Sequence, residues 1–385
     1  MNKIKASDLT PNQIYESNLY LSSGSLFLGK HIPVEAEDIS RLIKWQIDEV
    51  YTHDDKSVVD SKDLSKSFER FVKDRVTFAG IYDRCIATVR EHFMNFQTNN
   101  IMSLGRMKEV VNELYSMVTK NPNILLNVLN AKEVTQENNF FIRSVDVAAL
   151  SLMIGVSVGL PEERLRTLGI GALLYDIGML KMNSALFKKV GKFTAEEFQQ
   201  MKMHTIFGFK LLVQVFRLDP EVGLIAAEHH EQVDGKGYPR GLKGEKISQF
   251  AKIVAIAQAF EGITKNENRP DTKKSLYEAM KIILQEAPTR YDTDMVKVFL
   301  STMSLYPVGS LVILNDGRKA IVFIPNPGVP MRPIIKIIFD ENDNYLQAGP
   351  IINLVEEKSV FIKGSETNTV LLVKAANEVY TLTHE

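Results

Sequence analysis

Two adjacent histidines, His229 and His230, lie in the stretch EHHEQVDGKGYPRGLKG, residues 228–244, at the end of an apolar helical pattern. An imidazole keeps a nitrogen lone pair near neutral pH and is the commonest metal ligand among side chains. A turn explains the glycines and the proline that follow the pair. It does not explain two histidines at the end of an apolar segment. The pattern therefore favours metal or phosphate binding over chance placement at the surface.

The remaining histidines give a weaker signal. His204, in MKMHTIFGF, fits a satisfied core or surface histidine when it is taken alone. The chain has seven histidines in all: His31, His53, His92, His204, His229, His230 and His384.

The elements that must position the histidines read as a helical bundle over residues 138–303. Pro161 opens one helix, with glutamates in its first turn, and Thr194 with Glu197 forms a capping box at the start of another. Residues 64–133 predict a helical connecting segment with breaks at Asn99-Asn100 and Asn121-Pro122. This segment is either an arm for dimerisation or a helix pair packed on its own neighbour. The sequence thus predicts a mainly α fold.

Both ends of the chain differ from this helical pattern. Residues 1–56 predict a small mixed α/β module, with a hairpin around Ser22-Ser23-Gly24 and a helix that places Ile39, Leu42, Ile43 and Ile47 on one face. Residues 306–385 predict a β-rich extension, with a hairpin around Asn315-Asp316-Gly317, a further strand in PIIKIIFD and a final segment VYTLTHE.

Composition and charge exclude several classes of protein. The 46 basic and 47 acidic residues give a net charge of −1, which does not fit a binder of duplex nucleic acid. The N-terminus lacks the apolar core of a signal peptide, and the longest apolar stretch, residues 147–160, is shorter than the ~18–20 residues of a membrane span. The single cysteine, Cys85, fits a reducing compartment. We expect a cytoplasmic protein with no membrane span.

The order of motifs over residues 138–300 resembles the HD-GYP family, bacterial metal-dependent phosphodiesterases that act on cyclic di-GMP. The blocks that carry the resemblance are RSVDVA, ALLYDIG, GKFTAEEFQQMKMH, AAEHHEQVDGKGYPRGLKGEKIS, KIVAIAQAFEGIT and RP. The first 50 residues and the tail VGSLVILNDGRKAIVF also resemble modules attached to this family. The resemblance implies an HD-type helical bundle that collects histidines and carboxylates around two or three metal ions.

Several positions depart from the family pattern. Tyr175-Asp176 stands where the family has His-Asp. Arg143 and Asn139 stand where it has a histidine and, in three-metal members, a glutamate. Met179 replaces a lysine and Gln258 replaces an aspartate. Of the four ligands that simpler HD phosphohydrolases use, Asp176 alone survives.

Each departure removes a ligand or a charge. Arginine is protonated at all relevant pH values and has no lone pair to give, and a tyrosine with its ordinary pKa near 10 keeps its proton. Glutamine lacks the carboxylate charge, and methionine cannot make the charged contact of lysine. We expect Tyr175 and Met179 to continue the packing face of Leu165, Leu168 and Ala172 on one helix, and Arg143 to pair with Asp176.

The positions that match the family imply a reduced site. Asp176, His204, His229 and His230 form a set for one divalent ion, Fe, Mn, Ni or Zn, with an empty structural cluster as the alternative. Arg269 matches the start of a substrate-contacting segment, and Lys273 or Lys274 lies close by for a phosphate contact. The family's Gly-Tyr-Pro loop, here Gly237, Tyr238 and Pro239, is implicated in contacts with diguanylate-cyclase (GGDEF) domains.

These features favour a non-hydrolytic adaptor or cyclic di-GMP sensor. Two-metal catalysis needs paired ions ~3.5–4 Å apart, and the second ion has lost its ligands. The alternatives are a phosphodiesterase that works with a reduced metal site and a purely structural oligomerisation unit, for instance a homodimer.

Overall fold

The protein is described by a computed structural model that covers residues 2–13, 15, 19–21, 26–28, 34–45, 47–52, 61–132, 134–135, 137–182, 193–265, 274–326, 329, 331–346 and 349–366. The chain forms two compact units. One consists of Met1–Lys73 and Tyr306–Glu385, and the other of Asp74–Leu305. The mainly α fold with a mixed N-terminal module and a β-rich C-terminal extension is confirmed. The finer division into four segments stays a prediction.

The N-terminal module is a four-stranded antiparallel sheet with one helix. Its strands are β1 (Asn2–Lys5), β2 (Leu19–Tyr20), β3 (Leu26–Leu28) and β4 (Glu49–Thr52), in the order β1-β4-β2-β3, and its helix is α1 (Ala36–Lys44). Leu42 of α1 is fully buried, whereas Ile43 is 70% exposed. Ile43 therefore does not share the buried face that the sequence predicted for it. Strands β2 and β3 pair as the predicted hairpin requires, while its turn residues Ser22, Ser23 and Gly24 lie outside the described residues.

Three helices lead into the bundle: α2 (Ser61–Asn99), α3 (Leu104–Lys120) and α4 (Pro122–Ala131). Asn100 adopts a positive φ of 56° directly after α2. The side chain of Asn121 accepts a hydrogen bond from the Ile124 amide and caps α4, whose first residue is a proline. Both predicted breaks in the helical pattern are confirmed.

The bundle surrounds helix α5 (Asn139–Val158), which packs against α3 and against α6 (Glu162–Leu173), α9 (Gln249–Thr264) and α11 (Thr293–Thr302). The bundle also contains α7 (Ala195–Lys210), continued by a π-helical turn over Leu211–Val215, α8 (Pro220–Glu228) and α10 (Leu276–Glu286). Thr194 and Glu197 form the predicted capping box of α7. Short 3₁₀ helices cover Ile177–Lys181 and Gly244–Lys246.

Helix α5 is the one described helix long and apolar enough to cross a membrane. However, 72% of its most apolar window is buried inside the protein. The core helix of a globular bundle meets the same criteria of length and composition, so this feature is weak evidence for a span.

Helix α6 ends earlier than the sequence pattern indicates. Its last helical residue is Leu173, and Met179 belongs to the separate 3₁₀ helix Ile177–Lys181. The expectation that Tyr175 and Met179 continue one helix face with Leu165 is therefore wrong. The chain turns at Tyr175-Asp176, and this turn brings the carboxylate of Asp176 toward α7.

The C-terminal extension is a five-stranded antiparallel sheet in the order β8-β7-β6-β5-β9. Gly317, at φ +89°, closes the predicted β5–β6 hairpin. The final segment VYTLTHE lies outside the described residues, as do His31, His53 and His384. The strands are β5 (Leu311–Leu314), β6 (Lys319–Ile324), β7 (Ile334–Phe339), β8 (Ile351–Asn353) and β9 (Ile362–Glu366).

Candidate metal centre

Two buried imidazoles face each other between helices α7 and α8. The Nδ1 atom of His204 lies 2.5 Å from the carbonyl oxygen of Met201, and that of His229 lies 3.2 Å from the carbonyl oxygen of Ile225. A carbonyl accepts, so each Nδ1 donates its proton and each Nε2 keeps a lone pair. The two Nε2 atoms are 3.3 Å apart. The backbone thus orients both rings as metal-ligating histidines are commonly oriented.

The carboxylate of Asp176 joins these two histidines. Its Oδ1 atom lies 3.3 Å from Nε2 of His204 and 3.8 Å from Nε2 of His229. The approach depends on Gly178, because a Cβ atom there would lie 1.9 Å from the carbonyl oxygen of His204. The 3₁₀ helix therefore packs directly on the backbone of α7.

His230 completes the group. One ligand nitrogen from each of His204, His229 and His230 lies within 4.8 Å of the others. The amide nitrogen of Gln258 is 3.4 Å from Nδ1 of His230, while its amide oxygen is buried and has no partner in the described part of the chain. A half-turn of the amide would let that oxygen accept the Nδ1 proton and satisfy both groups. Gln258 thus contacts a histidine of the cluster.

The charge state of the histidines suits metal binding. Burial lowers the pKa of His229 to about 4 and lowers the pKa of His230 well below its ordinary value. Both rings are therefore neutral at pH 7 and can offer lone pairs. Neutral imidazoles with one carboxylate match the donor preferences of Fe, Mn, Ni or Zn. The residues present fit a single divalent ion.

On the other side of the cluster a partly buried ion pair stands where the resemblance places further ligands. Nε of Arg143 lies 3.2 Å from Oε2 of Glu261, whose side chain is 3% exposed. The acidic groups around Arg143, namely Tyr175, Glu261 and Asp176, raise the pKa of Arg143 above its ordinary value, so the guanidinium stays charged. The expected Arg143–Asp176 ion pair is replaced by an Arg143–Glu261 pair.

Tyr175 fills the space beside His229. Its ring is fully buried and meets the His229 ring edge to face, with the centroids 5.0 Å apart. Burial raises the pKa of Tyr175 well above 10, so the phenol keeps its proton at neutral pH. Among the residues that the structure describes, its hydroxyl has no hydrogen-bond partner of standard geometry. A buried neutral phenol is a poor metal ligand, in agreement with the packing role expected from the sequence.

The two glutamates that flank the histidine pair hold the following loop, residues 233–244. Glu231 accepts hydrogen bonds from the amides of Arg240 and Leu242 at 2.8 and 2.9 Å. Glu228 accepts from the amide of Ser248 at 2.8 Å and pairs with the guanidinium of Arg240. Both carboxylates are buried and engaged with the loop.

The structure brings together most of the predicted site, with some residues outside the cluster. Asn139 is the first residue of α5, and Met179 is half-buried in the 3₁₀ helix. Arg269 and Lys273 lie outside the described residues. Gly237, Tyr238 and Pro239 are half-buried in the 233–244 loop.

Sequence reasoning missed three features of this region: Glu261 as the partner of Arg143, Gln258 as a neighbour of His230, and the glutamates as organisers of the loop. The acids beside the histidine pair were visible in the sequence. Their partners lie 9 and 11 residues further along the chain for Glu231, a separation that helical or strand periodicity does not reveal.

Comparison with known proteins gives two family matches. Residues 115–295 match the HD domain, and residues 311–372 match the KOW domain associated with HD domain.

Among curated proteins, the chain is 29% identical over 257 residues to cyclic di-GMP phosphodiesterase PA4108 of Pseudomonas aeruginosa, covering 66% of this chain and 61% of that one. It is 29% identical over 225 residues to cyclic di-GMP phosphodiesterase PdeB of Borreliella burgdorferi, covering 58% of this chain and 56% of that one. The chain thus spans less than two thirds of the length of these relatives.

Among solved structures, a match is found with Bd1817, an HDG"Y"P protein from Bdellovibrio bacteriovorus. The TM-score is 0.46 at 20% identity, and the match covers 77% of this chain and 97% of that one.

Proposed function

Because this chain belongs to the HD-GYP family, we propose that it acts in bacterial cyclic di-GMP signalling as a non-hydrolytic adaptor or nucleotide sensor. The matched relatives named above are cyclic di-GMP phosphodiesterases, which supports this nucleotide as the signal. A loop that the family uses for partner contacts stands beside a reduced set of ligands. Recognition is therefore retained while hydrolysis is lost.

One observation carries the loss of hydrolysis: the Arg143–Glu261 ion pair at 3.2 Å. A two-metal phosphodiesterase needs a second cation close to the first. Here the guanidinium of Arg143 supplies positive charge on that side, and it has no lone pair with which to bind an ion. The protonated phenol of Tyr175 adds no ligand either. Together they leave donors for one ion.

The proposed metal ligands are Asp176, His204, His229 and His230. A divalent ion held there supplies a Lewis acid that can polarise a phosphate oxygen. The backbone carbonyls of Met201 and Ile225 hold the imidazoles of His204 and His229 in the tautomer that binds metal. Arg143 and Tyr175 occupy the side of the site where a second ion would bind. Such a site can bind a phosphodiester without cleaving it.

The proposed nucleotide contacts are cations near the opening. The side chain of Arg143 is 33% exposed, so it is not closed off from solvent. A planar guanidinium suits a phosphate. Arg269 and Lys273 remain predictions for further phosphate contacts. The proposed partner surface is the loop that carries Gly237, Tyr238 and Pro239, and its proposed partners are GGDEF-domain proteins.

The decisive experiment incubates the protein with cyclic di-GMP and Mn²⁺ or Fe²⁺ at high enzyme concentration and separates the products by chromatography. We expect the cyclic dinucleotide to remain unchanged. Calorimetry on the same metal-loaded protein separates the two forms of the proposal. Heat of nucleotide binding supports the sensor, and its absence at high ligand concentration leaves the adaptor.

A phosphodiesterase that uses a reduced metal site is the second candidate. It is favoured by the names of the relatives and by the converging ligand atoms of His204, His229 and His230. In that case linear dinucleotide or GMP accumulates, and Asp176→Ala abolishes the turnover. That pair of results would overturn the non-hydrolytic proposal.

A further inference from the structure

The 233–244 loop is closed on itself directly after the histidine pair. Asp234 and Lys243 form an isolated antiparallel bridge, and the amide of Gly244 donates to the carbonyl of Val233 at 3.1 Å. Gly237 lies so close to the start of the loop that a Cβ atom there would lie 2.3 Å from the amide nitrogen of Gln232. The loop is therefore compact and lies against the segment that carries the proposed ligands.

Tyr238 contacts His230 through both its backbone and its ring. Its amide donates to the carbonyl of His230 at 3.2 Å. Its ring stacks on the imidazole, with centroids 4.6 Å apart and planes inclined by 24°. A stacked ring restricts rotation of the imidazole, because turning His230 about χ2 would drive its edge into the face of the tyrosine.

The outer side of Tyr238 packs on helix α7, which also carries His204. The ring of Phe198 meets Tyr238 edge to face at 5.9 Å, and Nζ of Lys202 lies 5.4 Å from the Tyr238 ring centroid. Tyr238 therefore bridges the histidine cluster and a surface formed by Phe198, which is 42% exposed, and Lys202.

The carboxylates on either side of the histidine pair tie the rest of the loop to the same segment. Glu231 receives two loop amides, and Glu228 receives the Arg240 side chain and the Ser248 amide. The chain neighbours of His229 and His230 are thus hydrogen-bonded to Arg240, Leu242 and Ser248. The proposed ligands His229 and His230 therefore lie between two residues that are both hydrogen-bonded to the loop or to the segment after it.

We propose that Tyr238 is a positioning residue for the histidine cluster, so that cation binding and the conformation of the 233–244 loop are thermodynamically coupled. This inference rests on the proposed metal role of the site. It means that the bound cation regulates the conformation of the proposed partner loop. A group that orients a metal-ligating histidine commonly changes metal affinity about 10–100-fold when it is removed. Coupling of this kind is reciprocal, so the cation must also order the loop.

The first test measures Mn²⁺ affinity by calorimetry for the full chain and three variants. We expect Tyr238→Ala to bind Mn²⁺ about tenfold or more weakly. Tyr238→Phe retains the stacked ring, and the Tyr238 hydroxyl has no hydrogen bond among the described residues, so it should match the unmodified protein. Lys236→Ala, in the same loop and with a side chain that is 82% exposed, is the matched control.

The outcomes separate the inference from the function on which it rests. If the unmodified protein binds Mn²⁺ and Tyr238→Ala binds it as tightly as Tyr238→Phe, the coupling is overturned and the metal site stands. If the unmodified protein binds no Mn²⁺, the proposed metal role fails and the coupling fails with it.

A second test needs no variant and so does not depend on the folding of Tyr238→Ala. Hydrogen exchange is measured with and without saturating Mn²⁺ at the amides of Tyr238, Arg240 and Leu242, with strands β5–β7 as the internal reference. We expect the three loop amides to exchange more slowly with Mn²⁺ while the reference amides do not change. Equal rates at the loop with the metal bound would overturn the coupling.

Discussion

At the scale of single residues, Arg143 places a guanidinium charge at a position where the family pattern has a metal-ligating histidine. Arg143 places a guanidinium next to the buried carboxylate of Glu261, and burial raises the pKa of Glu261 while Arg143 opposes that rise. A buried carboxylate without a cation or hydrogen-bond donor is costly. Arg143 therefore stabilises the fold through Glu261, although it takes the place of a metal-ligating histidine.

Replacing Arg143 tests this stabilising role. We expect Arg143→Met to lower the free energy of unfolding by about 1–3 kcal/mol at pH 8, because the Glu261 carboxylate then remains buried without the Arg143 cation beside it. The Arg143→Met, Glu261→Gln double variant should recover part of the loss. Urea unfolding followed by circular dichroism measures all three proteins.

The same variant has a definite pH dependence. The pKa of Glu261 is raised in the folded state, so folding is favoured when the group is protonated, and this advantage is lost as pH rises through the folded-state pKa. Removing Arg143 should raise that pKa further. The deficit of Arg143→Met should therefore shrink between pH 8 and pH 5, and an equal deficit at both values would contradict the assignment.

At the scale of elements, the site depends on the close packing of the 3₁₀ helix Ile177–Lys181 on α7. Gly178 lies against the carbonyl oxygen of His204 and the amide of Gly208, where a Cβ atom would lie 1.9 and 2.6 Å away. Both neighbours are backbone atoms, which cannot rotate aside as a flexible side chain could. The distance between Asp176 and His204 follows from this contact.

Gly178→Ala should separate the two elements. We expect a loss of about 1–3 kcal/mol in the free energy of unfolding from overpacking, and Mn²⁺ affinity about tenfold or more lower because Asp176 moves away from His204. Gly80→Ala is the matched control. It lies within α2, where the nearest atom to a new Cβ is Nη1 of Arg84 at 4.0 Å, and it should stabilise the helix by about 0.5–1 kcal/mol. Unchanged Mn²⁺ affinity in Gly178→Ala would refute the positional argument.

At the scale of the whole molecule, the proposed ion links three segments of the helical unit through four ligands. Its ligands come from the turn after α6, from α7 and from the end of α8. The helical unit, Asp74–Leu305, contains every one of these residues, and the C-terminal sheet contains none. A ligand that binds the folded state stabilises it by mass action. The metal should therefore stabilise one unit and leave the other unaffected.

Metal removal gives the corresponding prediction. At a Mn²⁺ concentration of about 100 Kd the expected stabilisation is about 2.7 kcal/mol, which for a unit of this size raises Tm by about 5–10 °C. Scanning calorimetry with Mn²⁺ and with a chelator measures the shift. His229→Ala should show none, and His92→Ala, which changes a histidine of α2, should behave as the unmodified protein. Equal shifts in His229→Ala and in the unmodified protein would contradict the ligand assignment.

Local sequence signals determined much of this architecture. The capping box at Thr194, the breaks at Asn100 and Asn121 and the hairpin at Gly317 were all predictable, because each depends on side-chain to backbone hydrogen bonds or on a positive φ within a few residues. The histidines of the candidate site were found by residue type and by resemblance. Their convergence was implied by the resemblance, and the distances within 4.8 Å agree with it.

Only the tertiary structure decided which charges meet. Arg143 on α5 pairs with Glu261 on α9, and Glu231 holds loop amides beyond its own turn, since these contacts depend on how separate segments pack and no local period encodes them. The end of α6 at Leu173 has the same origin. Tyr175 and Met179 fit the helical period, but the approach of Gly178 to the backbone of α7 requires the chain to turn there. Sequence periodicity describes a single segment, whereas charge pairing and close backbone packing depend on how two segments are placed against each other.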